Sequence, residues 1–225
     1  MSGGTVYSAN WSGYAVYSKN RTVTGVTGTF VVPHAGLFPV PGFAATWAGI
    51  GGYKRPKHSL IQAGTGEDSF SGPPFGRKYF AWYELLPAPE KPLRGCSGDQ
   101  RCKVSPGNHI TVTIRRLAVA TWRISVTNAG HWSWSKQVHY NSSRSSAEWI
   151  LEAPKVGGAQ QTLAPVGTVH FGPTSKYRSQ GVTHKLAQGN PTRIILTGEA
   201  KPSAIAADGQ SFNDCSYRSG TCPRP

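Results

Sequence analysis

A chain of 225 residues with only 15% charged side chains, 24 Lys+Arg against 10 Asp+Glu, carries +14 at pH 7. Its length allows a sizeable core in one large all-β domain or two small ones, and 27 Gly, 17 Pro and 11% aromatics favour short strands joined by turns. No 18-residue apolar run offers a membrane-spanning helix. The densest basic groups, Lys54-Arg55-Pro56-Lys57 and Arg115-Arg116, are too short for a phosphate-binding stripe, so nucleic acid is not an expected partner.

Met1-Ser2-Gly3-Gly4 reads as an extension outside the fold, with no secretory leader in front of it. Trp11 to Tyr17 is the first strand candidate, followed by Val23 to Val32, which Pro33 ends. Residues 34–43, rich in Pro and Gly, read as an ordered loop. Ala44 to Gly52 is a strand of small residues around Trp47 and Ile50, and Ser59 to Gly64 a short one with Gln62 in its middle. Thr65 to Arg77 reads as a loop. Lys78 to Leu86 is an aromatic strand with Phe80, Trp82 and Glu84 on one face. After a long excursion from Pro87 to Gly107, two cleanly alternating strands (110–115 and 122–127) make a hairpin. Strands follow at Ser133–Tyr140, Ala147–Ala153, Thr168–Gly172 and Arg193–Gly198, with Lys201–Phe212 as a last candidate. About eleven strands without an internal break, over residues 5–225, imply a single domain folded as an antiparallel two-sheet sandwich, because so many strands in one flat sheet would curl or split.

Ser145 to Pro154 carries two of the ten acids inside an apolar strand. Alternation turns Trp149 and Leu151 one way, to the core, and Glu148, Ile150 and Glu152 the other. Such carboxylates are either solvated charges or catalytic groups, and alternation alone does not choose between them. The cysteines form two close pairs, Cys96 with Cys102 and Cys215 with Cys222. Neither is C-x-x-C and no His-x-x-x-His accompanies them, so two local disulfides are expected rather than zinc, and with them an oxidising compartment. Asn10, Asn20 and Asn141 begin formal glycosylation sequons. The low acid content is compatible with acidic surroundings, since few native carboxylates then have to be protonated.

The strings N-W-S-G-Y (10–14), T-W-A-G-I (46–50), L-I-Q-A-G (60–64), W-Y-E (82–84), A-E-W-I-L-E (147–152) and D-G-Q-S-F (208–212) stand in one order along the chain. In that order they resemble the eqolisins, glutamic peptidases that work in acid. The resemblance implies a β-sandwich with a cleft over one sheet. By motif it implies Glu152 and Gln62 as the catalytic pair, and Trp47, Trp82 and Glu84 as substrate-binding residues. Glu148 keeps the reading of a solvated strand charge paired with Arg or Lys. The chemistry agrees. A carboxylate can take a proton from water and return it to the leaving amine, and an uncharged amide can donate to the oxyanion at any pH. Two positions depart from the family: fungal members tend to carry an acid where Gly51 and Phe80 stand, which implies a less acidic cleft.

Two other readings compete. In a carbohydrate-active sandwich Glu84 and Glu152 would be paired carboxylates and the tryptophans sugar platforms. A lectin-like secreted module would need neither acid. No G-x-S-x-G, H-E-x-x-H or phosphate loop is present, so no metal and no cofactor are expected. The expected protein is a secreted, monomeric acid endopeptidase that acts on extended polypeptide.

Overall fold

The computed structural model describes residues 3–37, 39–54, 59–70 and 76–225. Met1-Ser2 of the N-terminal extension, Phe38, the Arg55-Pro56-Lys57 part of the basic group, and residues 71–75 of the loop read at 65–77 lie outside the described residues. The strands in chain order are β1 Gly3–Ser8, β2 Trp11–Tyr17, β3 Val23–Val31, β4 Ala45–Ile50, β5 Ile61–Phe70, β6 Gly76–Leu85 and β7 Lys91–Pro92. Then come β8 His109–Ala118, β9 Thr121–Asn128, β10 Trp132–His139, β11 Ser146–Glu152, and the ribbon of β12 Lys155–Val156 with β13 Ala159–Gln160. The chain continues through β14 Thr168–Phe171, β15 Lys176–Ser179, β16 Val182–Lys185, β17 Thr192–Leu196, β18 Ala200–Pro202 and β19 Phe212–Ser216. One 3-10 turn, Leu186–Gly189, is the only helical element among the described residues.

Two layers form the expected sandwich in a single domain. The front layer runs β1-β17-β2-β11-β4-β5-β6-β7. The back layer runs β10-β9-β8-β3, with β14 and β15 sharing the far edge of β3. The β17–β18 hairpin, paired at Leu196 and Ala200, joins the layers along one side. Between them lies the main core. Trp149, Ala48 and Ala63 of the front layer meet Phe30, Ile110, Val112, Ile114 and Trp122 of the back. Gly28 is the close approach that makes this possible, for a Cβ there would sit 2.8 Å from Trp149 and 2.9 Å from Ala48.

The structure departs from the sequence reading in four places. Gly3–Ser8, partly inside the stretch read as an extension, pairs with β17, and this pair is parallel, whereas the other strands given ranges here pair antiparallel. The presumed loop from Thr65 is strand to Phe70: β5 and β6 pair residue for residue from Ile61–Leu85 to Phe70–Gly76. Its turn-like composition yields to cross-strand pairing, and the inward Glu67 is satisfied by the hydroxyls of Thr46 and Thr65. The candidate strand at 201–212 is instead two short strands, β18 and β19, separated by a turn in which Asp208 accepts from Gln210 and Ser211. The hairpin β15–β16 carries too few apolar residues to have been read as strand.

Both cysteine pairs are disulfides and no cysteine is free. Each closes a short loop and adds on the order of 2 kcal/mol by the chain-entropy argument. Cys96–Cys102 pins the excursion that follows β6, and Cys215–Cys222 ties the C-terminal tail to β19.

Candidate active site

The outward face of the front layer has its own apolar cluster: Ala15, Ala45, Trp47, Leu60, Trp82, Ile150 and Ile194, with Trp11, Tyr53 and Phe80 packed against it. Register explains who meets whom, since residues directly opposite on neighbouring strands share a face. Glu152 stands opposite Trp11 and Ala45; Ile150 opposite Trp47, which stands opposite Gly64 and then Trp82; Glu148 opposite Gly49, then Gln62, then Glu84. All five residues singled out from sequence, and Glu148, therefore lie on one face of one sheet.

Glu152, the last residue of β11, keeps some solvent exposure, and two side chains donate to its carboxylate. Asn10 Nδ2 donates to Oε1 at 2.9 Å and Trp47 Nε1 donates to Oε2 at 2.9 Å. Trp11 packs edge-on against Trp47 with ring centroids 5.1 Å apart. Its indole also favours the charged Glu152, although the Trp11 N–H completes no bond of good geometry. Burial is the larger influence and lifts the Glu152 pKa to about 7, with a small push from Glu84 in the same direction. Asn10 and Trp11, part of the N-W-S-G-Y string, are neighbours of Glu152 that the sequence does not point to. Their partner is about 140 residues away, and only the β2–β11 register brings them to it.

Gln62 is 4% exposed and its Nε2 donates to Glu84 Oε2 at 2.5 Å, while its Oε1 has no protein partner. Burial holds the Glu84 pKa above its ordinary value, opposed by that bond from Gln62. Gln62 and Glu152 do not touch. They sit two strands and four residues apart, which on sheet spacing separates their Cα atoms by roughly 16 Å.

Glu148 corrects the reading of a solvated charge paired with a cation. It is fully buried, and the backbone N–H groups of Gly52 and Tyr53 donate to Oε1 at 3.2 and 3.1 Å. Its Oε2 has no partner. Burial raises its pKa to about 8, against smaller opposing contributions from Ser146 and the backbone amides of the turn after β4. That turn also accounts for Gly51: φ is +90°, and a Cβ there would lie 2.7 Å from Ser59 O and from Ser143 Oγ, so an acidic side chain has no room. The other departure has a packing cause too, for the Phe80 ring lies directly over Gly66.

Trp47 and Trp82 are both buried. Trp47 is spoken for by Glu152, whereas the Trp82 indole N–H has no partner. Removing the Trp47 donor should therefore act on protonation. Trp47→Phe is expected to move the acidic limb of the pH–activity profile upward by roughly one pH unit, as loss of one hydrogen bond to a charged group requires. Trp82→Phe should leave the limb in place. A pH–kcat/KM series on the two variants checks both statements.

A buried carboxylate held between two donors, on one sheet face with a buried amide, has the groups of an acid–base hydrolase. The Peptidase A4 family model matches residues 9–217. The chain belongs to this family, the eqolisins, and is a glutamic endopeptidase. Its fold is that of scytalido-glutamic peptidase, solved with a transition-state analogue inhibitor, at TM-score 0.71 and 20% identity over 92% of this chain and 98% of that one. SCP-B, an eqolisin solved with the tripeptide Ala-Ile-His, aligns at TM-score 0.65 and 18% identity over 92% and 98%. Aspergilloglutamic peptidase from Aspergillus niger aligns at TM-score 0.60 and 21% identity over 78% and 99%. No curated protein matches the chain by sequence search.

Proposed function

We propose that this peptidase hydrolyses extended polypeptide by water attack, with Glu152 as general base and then general acid and Gln62 as the oxyanion donor. The observation that carries the reading is the placement of the two on one sheet face, with both Glu152 oxygens engaged by Asn10 and Trp47. The separation of the pair suits this division of labour. A chain of carboxylate, water, carbonyl carbon, oxyanion and amide N–H spans roughly 8 Å, which fits between two long side chains whose Cα atoms stand about 16 Å apart. Gln62 commits one N–H to Glu84, and its Nε2 has a second to offer. The bond from Gln62 to Glu84 fixes the amide's orientation before substrate arrives. Peptide-like compounds in the structures of SCP-B and scytalido-glutamic peptidase support a polypeptide substrate.

The elevated Glu152 pKa refines the acid-peptidase expectation. With a pKa of about 7, roughly 1% of the group is in the base form at pH 5, so turnover rises with pH through the mildly acidic range. We place the working range towards pH 5–7 rather than pH 2–3. Secretion belongs to the same proposal, supported by the two disulfides, which persist in an oxidising compartment.

The test is casein digestion from pH 2 to pH 8 by wild type beside Gln62→Ala. Loss of the oxyanion donor should lower kcat by roughly 100-fold or more with little change in KM. A Gln62→Ala enzyme with near-normal kcat would overturn the assignment.

A further inference from the structure

The cations that look scattered in the sequence are gathered by the fold on the outward face of the back layer. Cross-strand register places Arg123 opposite Arg115, Arg115 opposite Gly25, and Gly25 opposite Arg178. One residue row further along, Ser125 stands opposite Thr113, Thr113 opposite Thr27, and Thr27 opposite Lys176. Arg115, Arg123 and Arg178 are exposed. Gly25 leaves a notch between two arginines, and a groove of about 260 Å³ opens there, lined by Thr27, Thr113, Arg115, Lys176, Arg178 and Thr183. A second groove, of about 470 Å³ and lined by Ser97, Ser125, Thr127, Ser133 and Ser135, adjoins it across the Ser125–Thr113 pair.

Like charges directly opposite each other on an antiparallel pair repel, and here nothing offsets Arg115 and Arg123. No Asp or Glu occurs in β3, β8, β9, β10, β15 or β16. The carboxylates that feel a cation do so away from the three arginines: Asp68 and Glu90 near Lys78, Asp99 near Lys103 and Arg101, Asp214 near Arg193, and Asp208 near Lys185 at the end of β16, which stands opposite Lys176 at the edge of this face. A row of cations with no carboxylate partner, continuous with a row of hydroxyls, is complementary to a polymer that carries both anions and hydroxyl groups.

We propose that this face binds an anionic polysaccharide bearing sulfate or phosphate half-esters, on the side of the molecule opposite the catalytic face. Arg115 and Arg178, two strands apart across Gly25, clasp one ester group, and the Ser/Thr rows follow the sugar hydroxyls across β8, β9 and β10. Half-esters keep their charge in acid, where carboxylate polymers lose theirs. Single-stranded nucleic acid is the weaker fit, because binding it calls for aromatic rings on which bases stack. Trp122 and Phe30 of these strands are buried in the core; Trp134 borders the larger groove and Tyr177 the smaller, but Trp134 packs on Tyr83 and the buried Tyr177 stacks on His184, so each ring already has a partner.

The experiment measures retention at pH 5 on immobilised dextran sulfate, phosphomannan, uncharged dextran and poly(dT), over a salt series. Three proteins are compared: wild type, Arg115→Ser/Arg178→Ser, and Lys19→Ser/Arg218→Ser, which loses the same charge from exposed positions elsewhere. Wild type should bind at least one of the ester polymers, the tighter one identifying the ester, and should not bind dextran. The groove variant should bind at least tenfold more weakly with a shallower salt dependence, and the control should stay within about twofold of wild type. Equal weakening of both variants, equal retention on uncharged dextran, or preference for poly(dT) would overturn the proposal. The readout is binding rather than cleavage, so it stands or falls separately from the roles of Glu152 and Gln62. Casein digestion should be unchanged in both variants.

Discussion

Replacing Glu152 by glutamine is expected to lower kcat by roughly 10³-fold or more across the whole pH range, with the fold retained. The size follows from the role, for general acid–base catalysis by a positioned group contributes typically about 10²–10⁴-fold. Here one group both activates water and protonates the leaving amine. Glutamine is nearly isosteric but carries one acceptor in place of two. Of the two donors aimed at the carboxylate, Asn10 Nδ2 and Trp47 Nε1, one will then face an NH2 group. That mismatch costs about 1–3 kcal/mol, a loss visible as a lower Tm but too small to unfold the domain. Glu152→Asp provides the second measurement, since it keeps the charge and draws the carboxylate back from the cleft by one methylene. It should retain detectable activity where Glu152→Gln does not. Steady-state kinetics with thermal melts on both variants separates a catalytic from a structural effect. A Glu152→Gln enzyme with wild-type kcat would end the general-base assignment.

Replacing Glu148 by glutamine is expected to leave stability nearly unchanged at pH 4 and to raise it by roughly 3–5 kcal/mol at pH 8. The buried Glu148 has a folded-state pKa raised to about 8, against about 4.3 in an unfolded chain. The folded state thus binds the proton more tightly, and stability falls as pH rises. The contribution is fully present below about pH 4.3, is lost progressively through the interval up to about pH 8, and is gone above it. Glutamine has no proton to lose. For a chain of this size the gain corresponds to a Tm rise of roughly 10 °C at pH 8. Glu67 and Asp214, fully buried and raised by the same cause, add slopes of the same sign. Wild type should accordingly be acid-stable and alkali-labile despite its charge rising from +14 towards +31 in acid. Equal differences between wild type and Glu148→Gln at pH 4 and pH 8 would refute the account. Activity is then bounded on both sides: ionisation of Glu152 raises it with pH, and the other buried acids withdraw stability over the same interval.

Much of the fold was legible because it rests on local alternation. β2, β4, β6, β9 and β11 fall within a residue or two of their sequence expectation and β8 within three: β8 and β9 alternate apolar with polar residues, and the others are short apolar or aromatic runs bounded by Gly, Pro or polar residues. The facing of Trp149 and Leu151 to the core, and of Glu148 and Glu152 away from it, follows from the same period. β1, β15 and the second half of β5 were not legible. Their residues are polar or glycine-rich, and what makes them strands is the hydrogen-bonding edge of β17, β3 or β6 beside them.

For the site, the residue types and their order were in the chain, and the family motif singled out Glu152 and Gln62. Their surroundings were not. A carboxylate reads as solvated when judged by its charge, and Glu148 becomes a buried acid only because the turn after β4 folds its amides down on it. Asn10 finds Glu152, Gln62 finds Glu84, and Arg115 finds Arg178 through pairings between strands distant in the chain. Sequence by itself determined the all-β class, the two disulfides and the candidate acids, because alternation, turn chemistry and cysteine spacing are local properties. Tertiary structure alone decided which carboxylates lose water, and hence their pKa values, and which cations share a face. Desolvation and Coulomb repulsion depend on neighbours in space, and strand register rather than chain order supplies those neighbours.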